Sequence, residues 1–342
     1  MKEWKGFRRG INLGGWLSQC EHTKERHDTF ITEEDIKKIS EWGLDHVRIP
    51  IDYELVEDEN GEYIEEGFSY IDNALKWCGK YGLGTILDLH KTYGFSFDIG
   101  ENETGFFDNE DYQERFYRLW ECFAGRYGNM GDRVAFELLN EVTDKEFCEK
   151  WNTIAGRCVE RIRAITQDTK ILIGGYYNNS VEAVKDLAMP HDENIVYNFH
   201  CYEPLIFTHQ GAYWVPEMPS DLRTSIDETY GQMKKKTDEL GWIIAVGFEG
   251  FDPDDTLDEK YFMKYFEEAV KVAEERDVPL YCGEYGVIDL AEPADTLKWY
   301  KYINKAFEKY NIGRAAWSYK EMDYGFVDEH MKDVVDEVVK YL

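Results

Sequence analysis

Short apolar segments alternate with amphipathic segments along almost the whole chain. In three amphipathic segments, apolar residues recur at i, i+3, i+4 and i+7, which predicts helices with one buried face. The three sets are Ile71/Ala74/Leu75/Cys78, Phe116/Leu119/Trp120/Phe123 and Trp151/Ile154/Ala155/Cys158. Eight apolar segments between the helices are predicted as buried strands. They lie near residues 10–13, 46–50, 84–89, 134–139, 170–174, 194–199, 279–282 and 314–318.

Eight strand-then-helix units favour parallel strands joined by helical crossovers, and such units close naturally into a (β/α)8 barrel. An open doubly wound sheet is the competing fold, and it often carries a glycine-rich phosphate turn after its first strand. The segment Asn12-Leu13-Gly14-Gly15-Trp16 lacks the GxGxxG spacing, so we expect no dinucleotide and no other cofactor. We predict an α/β fold, a (β/α)8 TIM barrel that forms a single domain over residues 1–342.

One predicted connection is much longer than the others. The sixth strand ends near residue 199 and the next good helix begins only near residue 257, whereas βα loops usually have about 2–6 residues. This stretch holds four of the eight prolines, a polar helix near 221–240 and an apolar run at 242–248. We predict residues 203–255 as a small subdomain inserted over the carboxyl face of the barrel. Long loops there are usually functional, and a purely stabilising role is the alternative.

The chain is strongly acidic, which limits its partners. It has 39 basic and 69 acidic side chains and a net charge of −30, so it repels nucleic acid and anionic membrane surfaces. Polyanionic substrates such as pectin are disfavoured for the same reason, and neutral substrates are not. Aromatic residues make up 15% of the chain, and those outside the core suit stacking on the apolar faces of sugars.

The seven cysteines show no CxxC pair and no zinc-ligand spacing, so we expect no metal site. Their odd number, with an N-terminus that lacks an apolar signal core, favours a reduced, cytoplasmic protein. Secretion is the alternative if a signal sequence has been removed. No segment is long and apolar enough to span a membrane, and we expect a monomer.

Polar side chains stand at the carboxyl ends of several predicted strands, where a parallel barrel gathers them into one pocket. They are Arg48 on the second strand, His90 on the third, Asn140 and Glu141 on the fourth, His200 and Tyr202 on the sixth, Glu284 on the seventh and Trp317 on the eighth. Each residue alone is more often structural. Their shared position at the carboxyl ends of the strands favours one common site. Most enzymes that hydrolyse a glycosidic bond use a pair of carboxyl side chains as catalytic groups.

Five segments of this sequence resemble motifs of glycoside hydrolase family 5, the cellulase family. These parts are Val47-Arg48-Ile49-Pro50, Leu139-Asn140-Glu141, His200-Cys201-Tyr202, Gly283-Glu284-Tyr285-Gly286 and Trp317. The resemblance runs from Gly10 to the end of the chain. Its layout, including the insertion with Thr208-His209-Gln210, is similar to the single-domain endoglucanase C type.

The resemblance implies hydrolysis with retention of configuration, by a catalytic domain in which two glutamates act. Glu141 is implied as the acid/base and Glu284 as the nucleophile, with Arg48 beside Glu284. His200 and Tyr202 are implied to orient the two carboxyls.

The resemblance also implies sugar contacts. Asn140 would hold the 2-hydroxyl, His90 would bind hydroxyls in the cleaved subsite, and Trp317 would form the floor of that subsite. Trp214 in the insertion is our best candidate for stacking on a further sugar. Phe207, Tyr93 and Phe97 follow it, and packing within the protein is the alternative for each.

The implied function is endo-acting hydrolysis of β-1,4-glucan by double displacement, with a neutral β-linked polysaccharide or oligosaccharide as substrate. Mixed-linkage glucan, β-mannan, xylan and xyloglucan stay open, because loop contacts discriminate between sugars that differ at one hydroxyl. A non-catalytic carbohydrate-binding barrel would be expected to lack one glutamate, and a metal-dependent hydrolase would show an HxH pair. The sequence has both glutamates and no such pair.

Overall fold

The computed structural model describes residues 1–98, 104–241 and 245–342. Its strands form a closed parallel barrel in which each strand pairs with its neighbours in chain order. The strands are β1 (Arg9–Asn12), β2 (His46–Asp52), β3 (Gly84–Lys91), β4 (Val134–Glu137), β5 (Lys170–Ile173), β6 (Ile195–His200), β7 (Leu280–Glu284) and β8 (Gly313–Ala316). Each matches a predicted segment to within a residue or two at either end, and the predicted (β/α)8 barrel is confirmed.

Helices follow the strands and pack around the barrel. They are α1 (Lys24–Thr29), α2 (Glu33–Glu41), α3 (Tyr53–Val56), α4 (Glu65–Tyr81), α5 (Glu110–Tyr127), α6 (Cys148–Arg163), α7 (Tyr176–Asn179), α8 (Leu205–Thr208), α9 (Tyr230–Glu239), α10 (Glu259–Tyr265), α11 (Glu267–Glu275), α12 (Pro293–Tyr310) and α13 (Val335–Val338). The three helices predicted from apolar periodicity are α4, α5 and α6, and the predicted apolar residues lie on their buried faces. In the part of the chain that the structure describes, none of these helices combines the length and the apolar character needed to cross a bilayer.

The amino end of the barrel is closed by apolar side chains. Residues on six strands form one buried cluster with two aromatic residues of the N-terminal segment: Ile86, Ala135, Leu172, Val196, Tyr281, Ala315, Trp4 and Phe7. Trp4 and Phe7 stack with their ring centroids 4.2 Å apart. Side chains along a strand alternate between the two faces of the sheet. The residue two positions after each strand residue of this cluster therefore also points inward, closer to the carboxyl end of the barrel.

The long connection between β6 and β7 contains α8, α9, α10 and α11. Helix α9 begins at Tyr230 rather than near residue 221, because Thr229 and Gln232 form a capping box that fixes its start. The connection is tied to α12, where Asp295 accepts hydrogen bonds from Ser225 Oγ (2.8 Å) and Ile226 N (3.1 Å). Residues 242–244 of the predicted apolar run lie outside the described residues, and the subdomain bounds of 203 and 255 stay a prediction.

Candidate active site

A buried arginine lies at the centre of the polar layer inside the barrel. Arg48 on β2 is fully buried, and its Nε and Nη2 donate to the two oxygens of Glu137 at 2.7 and 2.8 Å. Its Nη2 also lies 3.0 Å from Asp88 Oδ2, and its Nη1 donates to Glu284 Oε1 at 2.7 Å. Burial alone would lower the pKa of Arg48, but the surrounding carboxylates raise it well above its ordinary value. The guanidinium therefore stays charged and holds three carboxylates together.

Glu137 and Asp88 belong to this cluster, and the sequence reasoning missed both. Glu137 also accepts a hydrogen bond from Asn198 Nδ2 at 2.8 Å, and burial raises its pKa. The signal for Glu137 was available, because an ionisable residue within an apolar strand is almost never fully buried unless it is paired. Period-two alternation puts Ala135 and Glu137 on the same inward face of β4.

Glu284 is held at both carboxylate oxygens. It is the last residue of β7 and is 5% exposed. Arg48 Nη1 donates to Oε1, and Tyr202 Oη donates to Oε2 at 2.8 Å. The carboxylate is therefore fixed in one orientation at the carboxyl end of the barrel.

Glu141 lies beyond the end of β4, where its backbone adopts the left-handed φ of 39°. Its Oε2 accepts a hydrogen bond from Asn178 Nδ2 at 2.9 Å, and its Oε1 lies 2.7 Å from His200 Nδ1. Burial raises the pKa of Glu141 to about 7, and the hydrogen bond from Asn178 opposes that rise. The carboxyl is therefore partly protonated near neutral pH.

Asn178 is a contact that the sequence did not reveal. It lies in the short turn α7, where Tyr177 and Asn178 both have left-handed φ and ψ angles. Two backbone hydrogen bonds, from Tyr177 N to Thr143 O (3.1 Å) and from Asn178 N to Val142 O (3.0 Å), clamp this turn onto the loop that carries Glu141. The spacing of apolar residues in the sequence does not predict such a turn.

The two glutamates come together across His200. Ligand-type atoms of Glu141, His200 and Glu284 all lie within 4.8 Å of one another, so a carboxyl oxygen of one glutamate is that close to a carboxyl oxygen of the other. Burial lowers the pKa of His200 to about 4, so its ring is neutral at pH 7. Two carboxyl groups about 5–5.5 Å apart is the spacing used for glycoside hydrolysis with retention. A cation bound here would face the fixed positive charge of Arg48.

Three further predicted residues belong to the same group of contacting side chains. Asn140 Oδ1 accepts from Arg48 Nη2 at 2.9 Å, while its Nδ2 is buried and has no hydrogen-bond partner among the described residues. His90 Nδ1 lies 2.6 Å from Asp88 Oδ2, which raises the pKa of His90 although burial alone would lower it. The His90 and Trp317 rings are parallel within 2°, with centroids 5.9 Å apart.

The glycine at position 14 makes room for Trp317. A Cβ atom added to Gly14 would lie 2.7 Å from the Trp317 ring, a distance that real Cβ atoms do not show. The absence of a side chain at Gly14, shortly after β1, therefore leaves room for the Trp317 ring.

The aromatic residues proposed for further sugars differ in access. Trp214 is partly buried and packs against the cluster that contains Trp317 and Tyr324, which keeps it close to Trp317. Phe207 is completely buried, so it packs the interior and has no surface for a sugar. Tyr93 and Phe97 are partly buried, and Phe97 meets the His90 ring edge-on at 4.8 Å.

Replacing Arg48 tests whether the buried cluster depends on it. Arg48→Met leaves three carboxylates without their cation, so the free energy of unfolding should fall by about 3–5 kcal/mol at neutral pH. Unpaired buried carboxylates bind protons more tightly when folded than when unfolded, so the variant's deficit should grow as pH rises. Urea denaturation at pH 5 and pH 8 measures this.

Arg8 offers a control at a partly exposed ion pair, where it bonds the exposed carboxylate of Glu308 at 3.1 Å. Arg8→Met should change stability by no more than about 1 kcal/mol at either pH. Equal effects of the two substitutions, or an Arg48→Met deficit that shrinks with rising pH, would contradict the central role of Arg48.

Comparison with known proteins identifies the family. Residues 10–323 match the cellulase family, glycosyl hydrolase family 5. Cellodextrinase A of Ruminococcus flavefaciens is 49% identical over 310 residues, which cover 91% of this chain and 84% of that protein. Endoglucanase C of Acetivibrio thermocellus is 40% identical over 343 residues, which cover 98% of each. The crystal structure of Thermotoga maritima Cel5A in complex with mannotriose has a TM-score of 0.77 at 25% identity, over the whole of both chains. The resemblance seen in the sequence is confirmed, and the chain belongs to glycoside hydrolase family 5.

Proposed function

We propose that the protein is an endo-acting, retaining β-1,4-glucanase in which Glu284 is the nucleophile and Glu141 the acid/base. This assignment rests mainly on one observation: a carboxyl oxygen of Glu141 lies within 4.8 Å of a carboxyl oxygen of Glu284, and the two carboxyl groups have different hydrogen-bond partners. Glu284 receives hydrogen bonds from a cation and a phenol, which suits an attacking carboxylate. Glu141 has a pKa of about 7, raised by burial, which suits a proton donor at neutral pH.

In the first step, a carboxylate oxygen of Glu284 attacks the anomeric carbon. The glycosidic carbon–oxygen bond breaks, and the Glu141 proton passes to the leaving oxygen. A glycosyl ester forms on Glu284. Asn140 Nδ2, the buried amide group that lacks a partner in the protein, donates to the 2-hydroxyl of the sugar.

In the second step, a water molecule attacks the anomeric carbon from the side the leaving group has vacated. Ionised Glu141 takes a proton from that water, the ester bond breaks, and Glu284 becomes a free carboxylate again. Two inversions at the anomeric carbon give net retention. Arg48 and Tyr202 each donate to one oxygen of the free Glu284 carboxylate, which orients it for attack and receives it again when the ester is hydrolysed.

Cello-oligosaccharides and soluble β-1,4-glucan fit this site best, bound by a monomer. The relatives with the highest identity described above are named for cellodextrin and glucan hydrolysis. Trp317, which stacks with His90 next to the carboxylate group, is the proposed floor for the sugar. A second candidate is β-mannan, because the similar Cel5A structure carries mannotriose. The ratio of kcat/KM on matched cello- and manno-oligosaccharides distinguishes the two.

Removing each glutamate separately tests the roles. Glu284→Ala should lower kcat by roughly four orders of magnitude on every substrate, because no group remains to form the ester. Glu141→Ala should lose much less on an aryl cellobioside with a good leaving group than on a polysaccharide, and azide should restore part of its rate as a glycosyl azide. Product analysis by mass spectrometry measures this.

Glu149→Ala, on the exposed face of α6, is the matched control and should retain the parental rate. Parental turnover in Glu284→Ala would overturn the nucleophile assignment. Equal losses on both substrates, with no azide product, would overturn the acid/base assignment for Glu141.

The pH profile reports the proton on Glu141. Since the acid must be protonated to act, kcat/KM should fall as pH rises through about 7. Asn178→Ala removes a hydrogen bond that lowers the pKa of Glu141, so its basic limb should shift to higher pH. The control Asn60→Ala, at an exposed turn, should leave the limb unchanged. If the basic limb of the Asn178→Ala profile lies at the same pH as that of the parent, or lower, Asn178 does not set the pKa of Glu141.

A further inference from the structure

Three metal-ligand side chains meet at the edge of the barrel's carboxyl end, outside the catalytic group. Cys20, His22 and His27 follow β1, and a ligand atom of each lies within 4.8 Å of the other two. The three residues differ in access: His27 on α1 is buried, Cys20 is a partly buried free thiol, and His22 is exposed. A metal ion could therefore enter from solvent.

The two imidazoles already have the spacing that a shared metal ion requires. His22 Nδ1 and His27 Nε2 lie 3.2 Å apart. Two nitrogens bound to one tetrahedral zinc ion at about 2.0–2.1 Å lie about 3.3 Å from each other. These two nitrogens, now at hydrogen-bond distance, would keep nearly the same separation when zinc replaces that hydrogen bond.

The surroundings of His22 support a metal-bound state. Its other ring nitrogen, Nε2, lies 3.3 Å from Asp52 Oδ2, and metal-bound histidines usually donate this second N–H to a carboxylate. Asp52, the last residue of β2, is itself fixed, because it accepts hydrogen bonds from Ser18 Oγ (2.6 Å) and Gln19 N (2.9 Å). The ligand and its orienting carboxylate are thus both held by the segment that follows β1.

The position of His27 is fixed as well. Trp16 Nε1 donates to the His27 backbone oxygen at 3.0 Å, and the Tyr70 ring packs on the His27 ring with centroids 4.9 Å apart. The buried histidine therefore offers a fixed nitrogen, while Cys20 and His22 approach it from the loop.

We propose that Cys20 Sγ, His22 Nδ1 and His27 Nε2 bind one Zn²⁺ ion, with a water molecule as the fourth ligand. One thiolate and two imidazoles favour zinc over the hard cations Mg²⁺ and Ca²⁺. On binding, the Cys20 thiol releases its proton to solvent and its sulfur bonds to the metal. The ion links the loop after β1 to α1, and it stabilises the folded protein because the unfolded chain lacks the assembled site.

The expectation of no metal site rested on the absence of CxxC and HxH pairs from the sequence. The ligands here have the spacing Cys-x-His-x4-His, which matches neither pattern. The turn between β1 and α1 brings them together, and only the fold shows that Asp52 on β2 stands behind His22.

Metal titration of the chelator-treated full chain, reduced with a phosphine, tests the proposal. Calorimetry should show one Zn²⁺ per chain, and Co²⁺ should give a tetrahedral spectrum with a thiolate-to-cobalt charge-transfer band. Cys20→Ser should abolish that band. Cys20→Ser and His22→Ala should each weaken zinc binding by at least about 100-fold and abolish the zinc-induced rise in Tm. His22 is exposed, so His22→Ala keeps the test valid if Cys20→Ser misfolds.

Two controls locate the metal. Cys148→Ser changes another partly buried free thiol and should leave the cobalt band and zinc affinity unchanged. The double variant Glu141→Gln/Glu284→Gln removes the carboxylates of the catalytic group and should keep one zinc per chain. The proposal is overturned if the parent binds no zinc, if the thiolate band survives in Cys20→Ser, or if the double variant loses the ion.

Discussion

Arg48 is a permanent cation that is fully buried inside the barrel, so its charge has to be balanced by protein groups. Three carboxylates from three different strands do this: Asp88, Glu137 and Glu284. Breaking such a buried network costs several kcal/mol, which makes its geometry hard to distort. The proposed nucleophile is one of these three carboxylates, so its position is set by the electrostatics of the barrel interior.

The proposed acid is held in a different way, and this difference creates two roles from two identical side chains. Glu141 makes no ion pair with Arg48 and instead meets the neutral ring of His200 and the amide of Asn178. Burial without a paired cation raises its pKa to about 7. Neighbouring carboxyl groups whose surroundings separate their protonation states are the general solution for acid–base chemistry near neutral pH.

Much of this arrangement could be predicted from the sequence. Apolar segments marked all the strands, because parallel barrel strands are buried on both faces. Residues at strand ends, such as Glu284 and His200, were found because the fold itself brings those ends together. Contacts that depend on loop conformation could not be predicted from the sequence. Asn178 contacts Glu141 only because its turn is left-handed. Cys20 comes close to His27 only because of the path that the chain takes after β1. Helix α9 began later than predicted because local capping at Thr229 overrode composition.

The proposed mechanism requires a covalent bond between Glu284 and the sugar, and trapping that bond is its most direct test. A 2-deoxy-2-fluoro cellobioside with a good leaving group slows both steps of the reaction but leaves ester formation faster than hydrolysis. Peptide mass spectrometry of the inactivated protein should find one fluoroglycosyl group, attached to Glu284. An adduct on another residue, or loss of activity with no covalent adduct, would show that Glu284 is not the nucleophile.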